Sequence, residues 1–289
     1  MTKVNFALMK FVRHATGKLA YRSFGSGSEV WIFFHGFGQH HQDLLAFDKL
    51  RTSKHRYLFV DLIYHGQSSW NTSEKALKKE EWKVILLSLL QQESIDTFHL
   101  VGYSMGGKFA LLSYELLPER ISSLSLLAPD GIKTGLWYSM SNYPTGIHPL
   151  FKQAVFRPQR FFTLVDGLKT AGLLQKSLVK FVRTQLETRS KRAQAYLVWK
   201  VLGGLHLQLG TIIRQLRLHP IPVTVVLGEF DRMVAPKNLE RFTAKVPQLR
   251  LLLLPVGHGQ LIESTVSYLQ QAQEKEHSSS PQATTDNPR

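Results

Sequence analysis

The chain of 289 residues contains no cysteine. Disulfides, thiolate metal sites and cysteine nucleophiles are therefore excluded, while the redox compartment is left open. It also lacks any apolar run of the roughly 18 residues needed to cross a bilayer. The short stretch Phe6-Ala7-Leu8-Met9 is broken at once by Lys10 and Arg13, with no small-residue cleavage site after it. No signal peptide is read, and a cytoplasmic location, with room for peripheral membrane attachment, is the expectation. Phosphate-binding loops, dinucleotide fingerprints and metal-ligand spacings are missing from the pattern, so no cofactor and no metal are expected.

Acidic residues are scarce. Asp and Glu number 21 against 36 Lys and Arg, which leaves a formal net charge of +15. The imbalance is local: between Lys133 and Arg217 there are fourteen Lys or Arg and only two acids, Asp166 and Glu187. A field of that sign attracts an anionic membrane surface, an acidic carrier protein or an anionic substrate, whereas nucleic acid has only net charge in its favour.

The same span lacks strand patterns. On either side of it, short apolar runs alternate with helical periodicity. Segments 6–12 and 18–24 read as strands joined by a turn at Ala15-Thr16-Gly17. Segments 29–35, 56–61, 97–102, 121–128, 223–228 and 249–254 read as further strands, most of them apolar on both faces. Helices are expected over 80–92 and from Lys108 to Leu117, where Pro118 stops the chain. Alternation of this kind builds a mostly parallel sheet covered by helices, an α/β fold. The expected organisation is one core from 1–132 and 218–272, an inserted helical cap over 133–217, and a disordered Ser-, Gln- and Pro-rich tail over 273–289. The cap is aromatic as well as basic, with Trp137, Tyr138, Tyr143, Phe151, Phe156, Phe161 and Phe162.

Chemistry gathers at the strand ends. Gly102-Tyr103-Ser104-Met105-Gly106 lies between a buried strand and a helix. Glycines two before and two after the serine permit a tight turn that exposes its hydroxyl at a helix N-terminus, where developing negative charge is favoured. A serine hydroxyl needs a base, normally a histidine oriented by a carboxylate. His258 follows the last strand and Asp231 the one before it, so the order is Ser, Asp, His, each at its own strand end. Asp130, after the 121–128 strand, is the rival acid or merely a turn former ahead of Gly131. His40 and His41 line the pocket or are plain loop histidines, and His35 braces its loop.

These residues resemble the α/β-hydrolase superfamily, in its capped, lipase- or esterase-like branch, over about 6–271. By that resemblance His35-Gly36-Phe37-Gly38 is the oxyanion loop, with the backbone N–H groups of Phe37 and Met105 as donors. Asp61, Gly66 and Ser68 are similar to the family's structural turn after the next strand. Lys108 stands where the menaquinone-pathway lyase among these relatives carries an Arg that handles a dicarboxylate. It is therefore a candidate substrate-binding cation, or else a solvated helix lysine. The resemblance implies a serine hydrolase for a carboxylic ester or thioester with an acyl or otherwise hydrophobic substrate. A carbon–carbon bond hydrolase or lyase using the same three residues, and a non-catalytic binding module on this scaffold, are the alternatives.

Overall fold

The computed structural model describes residues 8–71, 75–132, 155–156, 158–172 and 176–279. Nine strands form one sheet. They are β1 (Met9–His14), β2 (Gly17–Phe24), β3 (Glu29–Phe34), β4 (His55–Asp61), β5 (Ser69–Trp70), β6 (Phe98–Tyr103), β7 (Ile121–Leu127), β8 (Val223–Gly228) and β9 (Leu249–Leu254). Their order is β1-β2-β4-β3-β6-β7-β8-β9, with the two-residue β5 pairing on β2. From β4 to β9 every pairing is parallel, and the antiparallel pairings involve β2. The mostly parallel sheet read from the sequence is therefore present. The first strand runs two residues further than the pattern indicated, and residues 6 and 7 lie outside the described residues.

Strands β3, β4 and β6 are almost wholly buried because helices cover both faces. Helix α1 (Lys79–Gln92) lies on one face through Trp82, Ile85, Leu86 and Leu89. Helix α2 (Met105–Leu116) follows β6 directly. The indole of Trp82 stands edge-on to Phe109 of α2 at 4.8 Å and to Phe34 of β3 at 5.7 Å. Its Nε1–H donates to Ser113 Oγ (3.0 Å), which donates onward to the Phe109 carbonyl (2.7 Å). This knot seats the first turn of α2 against the end of β3.

Between β7 and β8 the described residues form helices and no strand: α3 (Pro158–Thr170), α4 (Lys176–Gln185), α5 (Arg189–Leu202) and α6 (Leu209–Leu218). Trp137, Tyr138, Tyr143 and Phe151 lie outside the described residues. The helices rest on the core at named points. The Leu77 N–H donates to the Val201 carbonyl (2.8 Å), and Gln194 Nε2 donates to that of Tyr64 (2.7 Å). Phe37 packs against Leu186 and Ala195 with Phe161 and Phe162 alongside.

After β8 come the single turn α7 (Glu240–Thr243) and the closing helix α8 (Leu261–Ser279). Helix α8 runs through Ser279, so residues 273–279 of the expected tail are helical, and residues 280–289 lie outside the described residues. Leu261, Ile262 and Val266 anchor its first turns in the core, and residues such as Gln, Glu and Lys propagate an anchored helix at little cost. Among the described residues no helix is long and apolar enough to cross a membrane.

Candidate active site

Ser104 closes β6 and caps α2, with φ 51° and ψ −117°. A non-glycine residue in that region costs on the order of 1–3 kcal/mol and persists only when its surroundings enforce it. Three backbone bonds do so here. The Ser104 N–H donates to the Leu127 carbonyl (2.9 Å), and the Ser104 carbonyl accepts from the N–H groups of Gly107 (2.8 Å) and Asp130 (2.9 Å). The flanking glycines are needed for contact: a Cβ at Gly106 would collide with the Phe34 carbonyl, and one at Gly102 would meet the Gly106 carbonyl at 2.5 Å. The helix consequently begins at Met105, three residues before the sequence pattern indicated. Gly106 and Gly107 are poor helix formers and mask its start.

The turn aims Ser104 Oγ at His258. Its distance to His258 Nε2 is 3.2 Å, and His258 Nδ1 lies 2.7 Å from Asp231 Oδ2. Asp231 is 3% exposed, and its other oxygen accepts the N–H groups of Met233 (2.7 Å) and Val234 (2.9 Å). Both oxygens are thus occupied, which suits an ionised carboxylate held in one orientation. The three side chains come from the ends of β6, β8 and β9 and form one continuous hydrogen-bonded line. Asp130, the rival acid, turns elsewhere: its Oδ1 accepts the N–H of Gly131 (2.7 Å), and its charge acts on Lys108.

Beyond β3 the loop His35–Gly38 crosses the first turn of α2, since the carbonyls of Phe34 and His35 lie against Gly106. Phe37 lies in this loop, and Met105 directly follows the serine. The Met105 N–H is at the first position of α2, where a helix offers no carbonyl four residues earlier. His35 is fully buried and does brace this loop: its Nδ1–H donates to the Gly36 carbonyl (2.7 Å), and its Nε2 accepts from the Leu62 N–H (2.9 Å). Burial, helped by the neighbouring His65, lowers its pKa to about 3.

Two supporting contacts had no signal in the sequence pattern. His65 Nε2 accepts the Gly38 N–H at 3.0 Å, while its Nδ1–H donates to the Ile63 carbonyl at 3.0 Å. Burial lowers its pKa to about 4, so the neutral ring required by that acceptor role is the resting form. Tyr103, the neighbour of Ser104, donates its hydroxyl to the His258 carbonyl (2.9 Å) and lays its ring 5.1 Å from the imidazole. Burial, and then the Asp231 charge, raise the pKa of this phenol and keep it a donor. No local motif announces either contact, because each joins two separate loops.

His41 does not face the serine. It is buried, and its ring Nδ1 (2.9 Å) and backbone N–H (2.7 Å) both meet Asp61 Oδ1. The Gln67 N–H reaches Asp61 Oδ2 at 2.9 Å. Burial pushes the Asp61 carboxyl up, but these donors outweigh it and hold the pKa below the usual value. Ser68 Oγ donates to the Asp61 carbonyl (2.6 Å), and Gly66 lies so close that a Cβ there would strike the carboxylate.

Lys108, one turn along α2 from Ser104, is 4% exposed and is not the solvated helix lysine considered above. Burial lowers its pKa to about 8 against the pull of Asp130.

A strand-turn-helix serine joined to a histidine and an acid on a parallel sheet defines a hydrolase-type scaffold. The model of the alpha/beta hydrolase fold matches residues 30–265, and the chain belongs to that family. It is similar to the dihydrolipoyllysine-residue acetyltransferase component of the acetoin cleaving system of Pseudomonas putida, at 27% identity over 86% of this chain and 63% of that protein. It is also similar to Lipase 1 of Psychrobacter immobilis, at 24% identity over 86% of this chain and 77% of that protein. The chain thus spans less than two thirds of the acetoin-system relative. Among solved structures, a thermophilic esterase from Thermogutta terrifontis superposes with a TM-score of 0.65 at 18% identity, covering 94% of this chain and 99% of that one. At that identity the likeness concerns the fold.

Proposed function

We propose that the protein is a serine hydrolase of carboxylic esters or thioesters with an acyl or otherwise hydrophobic substrate. The observation that carries this reading is the unbroken line Ser104–His258–Asp231 at a strained strand-to-helix turn. Ser104 Oγ attacks the substrate carbonyl carbon while His258 Nε2 takes its proton. Asp231 holds the proton on Nδ1 and stabilises the imidazolium that forms. The carbonyl electron pair moves onto oxygen, which the N–H groups of Phe37 and Met105 receive, each worth about 3–4 kcal/mol. The tetrahedral species collapses, the alcohol or thiol leaves with the proton from His258, and the acyl group remains on Ser104. Water, deprotonated by His258, then releases the acid and restores the serine. Helices α3 to α6 act as the cap, and their rest on Phe37 and Tyr64 links their position to the oxyanion loop.

The test is hydrolysis of a chain-length series of p-nitrophenyl esters by the wild type and by Ser104→Ala, together with fluorophosphonate labelling. Loss of both on substitution supports the reading, and survival of turnover overturns it. A second reading is favoured by the burial of Lys108. With a pKa of about 8 this side chain is mostly protonated at neutral pH. It would offer a cation to an anionic group on the substrate, and the same residues would then serve carbon–carbon bond cleavage or a lyase step. Turnover of no simple ester, with Ser104 still labelled, would favour that outcome.

A further inference from the structure

The span between β7 and β8 carries a concentrated excess of positive charge. The span 133–217 has fourteen Lys or Arg and two acids, and both acids are consumed internally. Asp166 pairs with Arg183 at 2.5 Å and Glu187 with Lys191 at 3.1 Å. Arg160 and Lys169 on α3, Lys180 on α4 and Arg189 on α5 are exposed. None of these four has an ion pair among the described residues.

Two large apolar side chains are exposed on or just before α3. Phe156, just before α3, is 63% exposed, and Leu164 on α3 is 61% exposed. Arg160 and Leu164 are four residues apart and therefore share a face of α3. The opposite side of the helix is spoken for by buried Val165 and by Phe161 and Phe162, which pack toward Leu186 and Ala195. Arg183 covers the Phe162 ring at 5.0 Å while holding Asp166, so α3 and α4 are tied together there.

We propose that this outer face, centred on Phe156, Arg160 and Leu164, docks on an anionic phospholipid surface. Cations alone would suit any polyanion. Exposed Phe and Leu beside an exposed Arg suit a bilayer, where apolar groups enter the headgroup boundary and cations meet lipid phosphates. The proposal is independent of the chemistry assigned to Ser104.

The experiment is vesicle co-sedimentation of the full chain, comparing phosphatidylcholine with an equal mixture of phosphatidylcholine and phosphatidylglycerol. Binding is expected on the mixed vesicles at least tenfold above the neutral ones, weakening as salt rises because the Debye length shrinks. Arg160→Ala is expected to lower partitioning about fivefold. Phe156→Ser with Leu164→Ser is expected to lower it more than tenfold, with an unchanged melting temperature because both sites are exposed. Ser104→Ala is expected to bind as the wild type, so a failed chemical reading leaves this result intact. Equal binding to both vesicles, or binding to neither, overturns the proposal. So does wild-type binding by the Phe156→Ser, Leu164→Ser variant, which would show attraction by charge alone with no apolar entry into the bilayer.

Discussion

The Gly38 N–H and His65 Nε2 are joined by a hydrogen bond of 3.0 Å that ties the loop after β3 to the loop after β4. Only a neutral ring can accept it. His65 and His35, whose pKa values are lowered to about 4 and about 3, are both uncharged in the fold but protonate near 6.5 when unfolded. Between those values the unfolded chain binds more protons, so stability is complete above about pH 6.5 and is lost as pH falls toward 4 and below. The loss is on the order of 3 kcal/mol for His65. Urea unfolding of the wild type and His65→Gln at several pH values checks this. The Gln variant, which keeps an acceptor for Gly38, should show a shallower pH slope by about one proton.

Ser104 bears backbone strain that its side chain does not relieve, since φ is 51°. Glycine tolerates that region without a Cβ penalty. Ser104→Gly should therefore stabilise the fold by about 1 kcal/mol while removing the proposed nucleophile and, on that proposal, lowering ester turnover by at least about 1000-fold. Thermal unfolding and p-nitrophenyl acetate hydrolysis, measured on the same preparation, report the two effects separately. A destabilised Ser104→Gly would show that the turn is not strained.

How far the sequence reaches is clearest at two places. The parallel strands were legible because their apolar runs are longer than chance and sit between turn signals, and the Ser104, Asp231 and His258 positions followed from the strand ends. The boundaries of α2 and α8 were not. Two glycines, Gly106 against the Phe34 carbonyl and Gly107 against Pro129, hide the start of α2, and a polar sequence hides how far α8 continues past its buried first turns. For Lys108 the sequence left a substrate-binding cation and a solvated helix lysine both open, because burial is a tertiary property. The His65 and Tyr103 contacts were invisible for the same reason, as their partners lie 27 and 155 residues away.

Asp231 and Asp130 can be separated by one isosteric change each. Asp231→Asn keeps an oxygen for the Met233 and Val234 N–H groups but turns an amide N–H toward His258 Nδ1. The imidazole is then held in the wrong tautomer, and kcat should fall about 1000- to 10000-fold. Asp130→Asn keeps the bond from Gly131 and leaves His258 untouched, so kcat should stay within about tenfold. Steady-state kinetics on one activated ester decide the matter, and a larger loss at Asp130 would reverse the assignment of the acid.

Lys108 gives the molecule a second pH signature, on the alkaline side. Its pKa is lowered to about 8 in the fold by burial, against about 10.4 in the unfolded chain. Between those values the unfolded chain holds the extra proton. Stability contributed by this group therefore rises as pH climbs from about 8 to about 10.4, by on the order of 3 kcal/mol, and below pH 8 the buried cation is a net cost. Lys108→Met removes the titration. Its unfolding free energy should be flat in pH over that window apart from the background shared with the wild type, and at pH 7 the variant should be at least as stable. Parallel slopes for the two proteins between pH 8 and 10 would show that Lys108 is solvated. If Lys108 also meets an anionic substrate group, the variant should raise KM for a carboxylate-bearing ester about tenfold while leaving its uncharged analogue unchanged.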